Sequence, residues 1–249
     1  MKNSIIIKTE NLIKRFPVGG GDFTALNDIN LVFGAGEFAG LVGPSGSGKT
    51  TLLNILGSLD TPSEGRALVL DQSIGDLSHR EAATLRNKYL GFIFQTYNLL
   101  PVYTVFENVE FPLLLLNTTP EERKKSVLEA VEWVGLTDKL KSRPSQLSGG
   151  ESQRVAIARA MVKKPQVVLA DEPTANLDAA NSHHILQTME KLNKDLNTTF
   201  IFATHDEKVI HYLRRKISLE DGRVITDEII SHKSPEAGSP RPKTEKNTN

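Results

Sequence analysis

Apolar residues recur along the chain with two periods. "SIIIKTE" at 4–10, "FTALNDINLVF" at 23–33 and "EFAGLVG" at 37–43 read as strands, with the "GAGE" turn between the last two. A β-rich layer therefore precedes the first helical pattern, "TLLNILGSL". Strand "ALVL" at 67–70 follows, then a helix over 78–89, "SHREAATLRNKY", whose Ser78 and Glu81 have capping-box spacing. A further helix begins at "TPEER", with Thr119 as cap and Pro120 in the first turn, and stops before Gly135. "LSGGESQRVAIARA" at 147–160 reads as a long helix opened by a serine and two glycines. Strands "QVVLAD" at 166–171 and "TTFIFAT" at 198–204 bracket another helical stretch. This is the βαβ pattern of a parallel sheet, which binds ligands at its carboxyl edge. From Ser231 the chain is proline-rich and polar, and residues 231–249 are expected to form a disordered tail. No internal repeat is visible.

Composition narrows the function classes. A chain of 249 residues with 39% hydrophobic content can bury a substantial core. Lys+Arg and Asp+Glu both count 30, so no global basic field recruits nucleic acid or an acidic membrane. With no cysteine, disulfides, thiolate metal sites and cysteine nucleophiles are excluded. The opening "MKNSIIIKTE" is too short in apolar residues for a signal-peptide core, and "PLLLL" at 112–116 is far below the ~20 residues of a spanning helix.

The chemistry begins at "GPSGSGKT", Gly43 to Thr50, directly after the apolar strand and before a helix. That context marks a phosphate-binding loop. Gly43, Gly46 and Gly48 let the backbone of the loop, which runs through Pro44, Ser45, Gly46, Ser47 and Gly48, wrap closely, so that its N–H groups and the helix start point at the β-phosphate. Lys49 brings a charge to the β- and γ-phosphates, and the Thr50 hydroxyl suits Mg²⁺. Thr51 continues the loop into the helix. In "QVVLADEP" the strand carries Asp171 and Glu172 to its end, as expected for one carboxylate near Mg²⁺ and a second poised against water. Alone, such an acidic pair is usually a solvated loop; the phosphate loop gives it weight.

"LSGGE", Leu147 to Glu151, resembles the signature of ABC-type ATPases, and the remaining motifs fall in that family's order. Gln95 in "GFIFQTYNLLP" resembles its Q-loop, "ANLD" at 175–178 its D-loop and His205 in "ATHD" its switch histidine. Phe16 lies where the family places an aromatic ring against adenine, often a tyrosine, with Phe23 a weaker candidate. The resemblance spans residues 4–229. It implies an α/β fold: a P-loop NTPase core with a mostly parallel sheet, an N-terminal antiparallel β layer and a helical subdomain, about 96–163, carrying the signature. All lie within one ATP-binding domain, 1–230.

The same resemblance implies the roles. Two copies pack head to tail around two ATP, and Ser148, Gly149 and Gly150 of each close on the γ-phosphate bound by the other's loop. Glu172 polarises the attacking water, His205 contacts the γ-phosphate, Gln95 touches Mg²⁺ and water, and Asp178 links the two sites across the interface. Outside the resemblance, His183, His184, His211 and His232 read as structural or surface residues, and Trp133 as core.

"FQTYNLLPVYTVFENVEFPLLL" and Glu151 are similar to the branch serving lipoprotein release, macrolide export and cell division. That branch implies a peripheral subunit on the cytoplasmic membrane face that drives a separate permease. The docking surface is placed near Gln95–Val105, where Tyr97, Leu99, Leu100, Val102 and Tyr103 are expected to cluster on a loop. The competing readings are a soluble or cell-division ATPase not engaged in transport and a P-loop kinase or GTPase. The first would show a coiled-coil insertion, zinc cysteines or tandem units; the second has no use for the signature, and "NKDL" at 193–196 puts the aspartate one place early for guanine reading.

Overall fold

The computed structural model describes residues 4–230. Along the chain these form β1 (Ile5–Val18), β2 (Gly21–Gly34), β3 (Phe38–Val42), α1 (Lys49–Leu56), β4 (Glu64–Val69), β5 (Gln72–Ser73), α2 (His79–Tyr89), β6 (Leu90–Ile93), α3 (Val105–Glu110), α4 (Pro120–Trp133), α5 (Gly149–Met161), β7 (Val167–Asp171), α6 (Ala179–Leu196), β8 (Thr199–Thr204), α7 (Glu207–Ile210), β9 (Arg215–Glu220) and β10 (Arg223–Ile229).

The strands make two sheets. One has the order β2-β1-β4-β5 and is antiparallel; the other has the order β10-β9-β3-β8-β7-β6. In the second sheet β9, β3, β8, β7 and β6 run parallel and β10 adds an antiparallel edge. Its central strands are apolar at nearly every position because both faces are buried. Phe200 and Phe202 of β8 and Val168 and Ala170 of β7 face the helices α3 to α6. Ile201 and Ala203, with Val167 and Leu169, face the opposite core, which also takes Leu52, Ile55 and Leu56 of α1 and Ile7, Leu26 and Phe33 of the antiparallel sheet. The period of two thus divides one continuous run between two cores.

Helix starts follow the sequence. Ser78 and Thr119 are N-caps in reciprocal capping boxes with Glu81 and Glu122, and a third box joins Thr104 and Glu107. Other boundaries differ from expectation. The first strand continues to Val18, through a bulge at Asn11, whose φ of 47° breaks the register between Thr9 and Leu12. The helix after the phosphate loop starts earlier, at Lys49, and ends at Leu56, because Gly57 and the left-handed Ser58 (φ 55°) turn the chain away. Strands β6, β9 and β10 were not among the expected strands: β6 is four residues beginning at the helix end, and β9 and β10 form a hairpin about the left-handed Asp221 and Gly222, with β10 mostly exposed. Trp133 is half-buried at the core's margin, with Lys164 Nζ 5.6 Å from its ring centroid, not interior as expected. The expected tail and His232 lie outside the described residues. No described helix is long and apolar enough to cross a membrane.

Candidate functional site

The phosphate loop leaves the end of β3 and enters α1. Gly46 and Gly48 have φ of 83° and 99°, a left-handed region that costs other residues strain. At Gly48 a side chain is also barred by space, since a Cβ would lie 2.7 Å from the Ala25 carbonyl oxygen. The loop is fastened from behind, the Gly222 amide donating to the Ser47 carbonyl over 3.2 Å. Lys49 is 7% exposed, and its Nζ donates to the carbonyls of Gly43 (2.7 Å) and Pro44 (2.8 Å). Burial lowers its pKa, opposed by the charges of Glu172 and Asp171.

Parallel strands β3, β7 and β8 bring the other groups to the same edge. The Thr50 hydroxyl donates to Asp171, 3.2 and 3.1 Å from its two carboxylate oxygens. Burial pushes the Asp171 carboxyl up, Thr50 and Lys49 oppose this, and Glu172 adds to it. Glu172 sits at a φ of 45°, its carboxylate 14% exposed. One carboxylate oxygen lies 2.6 Å from His205 Nδ1, and the other accepts from the Thr204 hydroxyl at 3.1 Å. A cavity of about 500 Å³ is lined by Phe16, Phe23, Ala25, Ser45, Gly46, Gly48, Lys49, Thr50, Thr51, Gln95, Asp171, Glu172 and His205. Phe16 and Phe23 are cross-strand partners at its mouth. Lys14 Nζ sits 4.9 Å from the Phe16 ring centroid, held by Asp60 at 2.6 Å and the Thr61 carbonyl at 2.9 Å.

The donors suit Mg²⁺. Thr50 and Asp171 offer a hydroxyl and a carboxylate within contact of each other. Among the described residues no group of three or more His, Cys, Asp or Glu could hold a metal. A Mg²⁺ here would draw few ligands from protein and the rest from phosphate and water, its usual preference.

Ser148, Gly149 and Gly150 do not line this cavity. Ser148 is the N-cap of α5 and Glu151 completes a capping box, accepting from the Ser148 amide at 2.8 Å while Ser148 Oγ accepts from the Glu151 amide at 3.2 Å. Those bonds hold the Glu151 carboxyl below its usual range. The amides of Gly149 and Gly150, in the first helical turn, have no intrahelical acceptor. They sit by the D-loop: a Cβ on Gly149 would lie 3.9 Å from the Asn176 carbonyl, and one on Gly150 would lie 2.5 Å from Asn181 Oδ1. Asp178 is exposed and caps α6, accepting from the Asn181 amide at 2.8 Å.

Three residues without a sequence role tie these segments together. Gln153, fully buried, donates from Nε2 to the Pro173 carbonyl at 2.6 Å, fixing α5 to the loop after Glu172. Asn176 Nδ2 donates to the Gln95 carbonyl at 2.9 Å. Arg159 donates to the carbonyls of Tyr97 (2.7 Å) and Asn98 (2.5 Å), two left-handed residues just past Gln95. Local spacing gives no signal for them, since α5 and the loop after Glu172 carry other polar residues and a long-range backbone partner leaves no trace there.

The segment after Gln95 differs from its expected exposure. Leu99 packs against the main core, and Tyr97 and Leu100 are half-buried. Val102 and Tyr103 are exposed, and the apolar surface continues not within Gln95–Val105 but onto Phe111, Leu114 and Leu115. Asn108 causes this, its fully buried side chain bonding the Leu100 amide and the Leu100, Tyr103 and Thr104 carbonyls and folding the segment back onto α3.

A family model described as ABC transporter matches residues 26–175. The lipoprotein-releasing system ATP-binding protein LolD of Pseudoalteromonas translucida (strain TAC 125) is 45% identical over 226 residues, 91% of this chain and 97% of the relative. Among solved structures, the ATP-binding cassette MJ0796, in a dimeric post-hydrolysis state bound to ADP and Pi, superposes with a TM-score of 0.83 at 40% identity, over 90% of this chain and 98% of that one. A second dimeric structure of MJ0796, described as a bacterial ABC transporter cassette, gives 0.83 at 41% over the same shares.

Proposed function

The chain belongs to the ABC transporter family as an ATP-binding, ATP-hydrolysing subunit, and from that premise we propose that two copies close head to tail around two ATP and drive a separate membrane permease. The observation that carries this reading is the split between the two anion-ready helix starts. The α1 start opens into the cavity with Lys49, Asp171 and Glu172, whereas the start of α5 lies outside it, beside Asn176 and Asn181. A γ-phosphate held by this loop would therefore meet Gly149 and Gly150 only from a second chain. The dimeric state of MJ0796 supports that arrangement.

In this mechanism Lys49 and the loop amides hold the phosphates and oppose charge that builds in the transition state. Glu172 takes the proton of, or orients, the attacking water; Thr204 and His205 fix its carboxylate, and His205 reaches the γ-phosphate. Mg²⁺, held by Thr50, Asp171 and Gln95, would neutralise phosphate charge. Gly149, Gly150 and Ser148 complete the partner's site, and Asp178 signals across the interface. Phe16 stacks on adenine with the face not covered by Lys14. Replacing Phe16 by alanine should weaken ATP binding by about three- to tenfold, the value of one aromatic contact. An unchanged dissociation constant would remove the ring from the site.

The likeness to LolD supports lipoprotein release, or a related export or mechanical task, at the cytoplasmic face of the cell membrane. Val102, Tyr103, Phe111, Leu114 and Leu115 then form the permease contact. Purification of the chain from its own membranes should bring an integral membrane protein with it. Val102→Asp with Leu115→Asp should abolish that association and leave ATP affinity unchanged. Ribosomes or nucleic acid in place of a membrane subunit would favour the soluble ATPase reading. Leu99→Ser would report stability and not docking, because that leucine packs on the core.

A further inference from the structure

Among the described residues two lysines are buried, Lys49 in the phosphate loop and Lys14 on β1. The chemistry at the phosphates uses the first and leaves the second without a part. Lys14 does not line the cavity, but its ammonium lies 4.9 Å from the ring centroid of Phe16, which does. The two residues are two positions apart on one strand and so share a face. The cation therefore covers one face of the ring from outside the cavity, and the other face is left to the space beside Phe23 and Ala25.

The position of Lys14 is itself fixed. Asp60 pairs with its Nζ at 2.6 Å, and the Thr61 carbonyl accepts from it at 2.9 Å. The same Asp60 oxygen accepts from the Thr61 amide at 2.7 Å, and the Asp60 amide donates to the Asn54 carbonyl, within α1, at 3.2 Å. The helix whose start carries Lys49 and Thr50 thus ends by anchoring the cation behind Phe16. A desolvated ammonium is costly unless it is paired, and Asp60 supplies the pair. Phe16 is partly exposed, and an unsupported ring there would visit several rotamers; a cation over one face selects among them. The cation also draws π density toward itself, which lowers the repulsion between the opposite face and a second aromatic system. Resting on the reading that Phe16 stacks on adenine, we propose that Lys14, held by Asp60, is a positioning residue of the base site: it presets the Phe16 ring and strengthens the stacking of a purine on the free face. Lys14 itself acts only through the ring.

Calorimetric titration of the full chain with MgATP and with magnesium tripolyphosphate, which has the phosphates and no base, separates this role from a purely structural one. Lys14→Met keeps a side chain of similar length beside the ring and removes the charge; combined with Asp60→Asn, it leaves no carboxylate unpaired. This double variant should bind ATP about two- to fivefold more weakly and bind tripolyphosphate as the native chain does. Lys14→Arg, with Asp60 intact, should retain native ATP affinity. Added to Phe16→Ala, the double substitution should cost ATP nothing further, because its effect passes through the ring. Native ATP affinity in the double variant, where Phe16→Ala weakens ATP, overturns the role of Lys14 and leaves the stacking of Phe16 standing. Equal weakening of ATP and tripolyphosphate, or an undiminished cost in the Phe16→Ala background, makes Lys14 a support of the fold alone and overturns the proposal as well. Native ATP affinity in Phe16→Ala overturns both.

Discussion

Glu172→Gln should retain ATP affinity and lose turnover by at least ~10²-fold, the low end of what a general base contributes. The substitution preserves shape and hydrogen bonding: a glutamine oxygen can still accept from Thr204, and its amide can still meet His205, which lie 3.1 and 2.6 Å from the native carboxylate. Only the ability to accept a proton and the negative charge disappear. Removing that charge from beside Asp171 and near the γ-phosphate should, if anything, favour bound ATP. Steady-state phosphate release measures the turnover, and light scattering with ATP present should show a long-lived dimer where the native protein gives a transient one. Near-native turnover would take Glu172 out of the chemistry, and a variant that hydrolyses nothing yet stays monomeric with ATP would argue against the two-ATP dimer.

Lys49→Ala should abolish ATP binding and hydrolysis together. The ammonium is nearly buried at the loop's centre, and its two carbonyl bonds also shape the loop around it. Removing a charge-assisted hydrogen bond to phosphate costs ~1.5 to 3 kcal/mol, so affinity should fall by at least about tenfold. Burial already disfavours the charged form of Lys49, an effect that Glu172 and Asp171 counter. Calorimetric titration with ATP decides the matter, and a dissociation constant and rate equal to the native values would contradict the assigned role. The two variants separate by their binding: one keeps ATP, the other does not.

How far the sequence reached depended on whether a feature was local. The phosphate loop was legible because glycines at left-handed positions, a lysine and a threonine must be contiguous, and Gly46, Gly48, Lys49 and Thr50 are. Helix starts were legible because a capping box closes within four residues, as at Ser78 and Thr119. Central strands β7 and β8 announced themselves by burial on both faces. Strands β6, β9 and β10 were not read from the sequence: β6 is short and takes its partner β7 from far along the chain, and β9 and β10 are a hairpin at the sheet's margin with β10 mostly exposed.

The sequence by itself therefore determined which groups gather at the sheet's edge, namely the loop glycines, Lys49, Thr50 and the carboxylates Asp171 and Glu172, and that α5 begins at Ser148, Gly149 and Gly150. Only the tertiary structure decided how those groups are held and which surface is free. It set Glu172 against His205, made Ser148 and Asp178 helix caps within their own chain, and bound Gln95, Tyr97 and Asn98 to Asn176 and Arg159. It also turned Leu99 inward and left Val102 and Leu115 outside. The physical reason is the range of the interactions. Backbone conformation and capping are decided within a few residues, whereas burial and side chain to carbonyl bonds depend on segments that folding brings together from far apart in the chain, as for Arg159 with Asn98 (61 positions) and Asn176 with Gln95 (81).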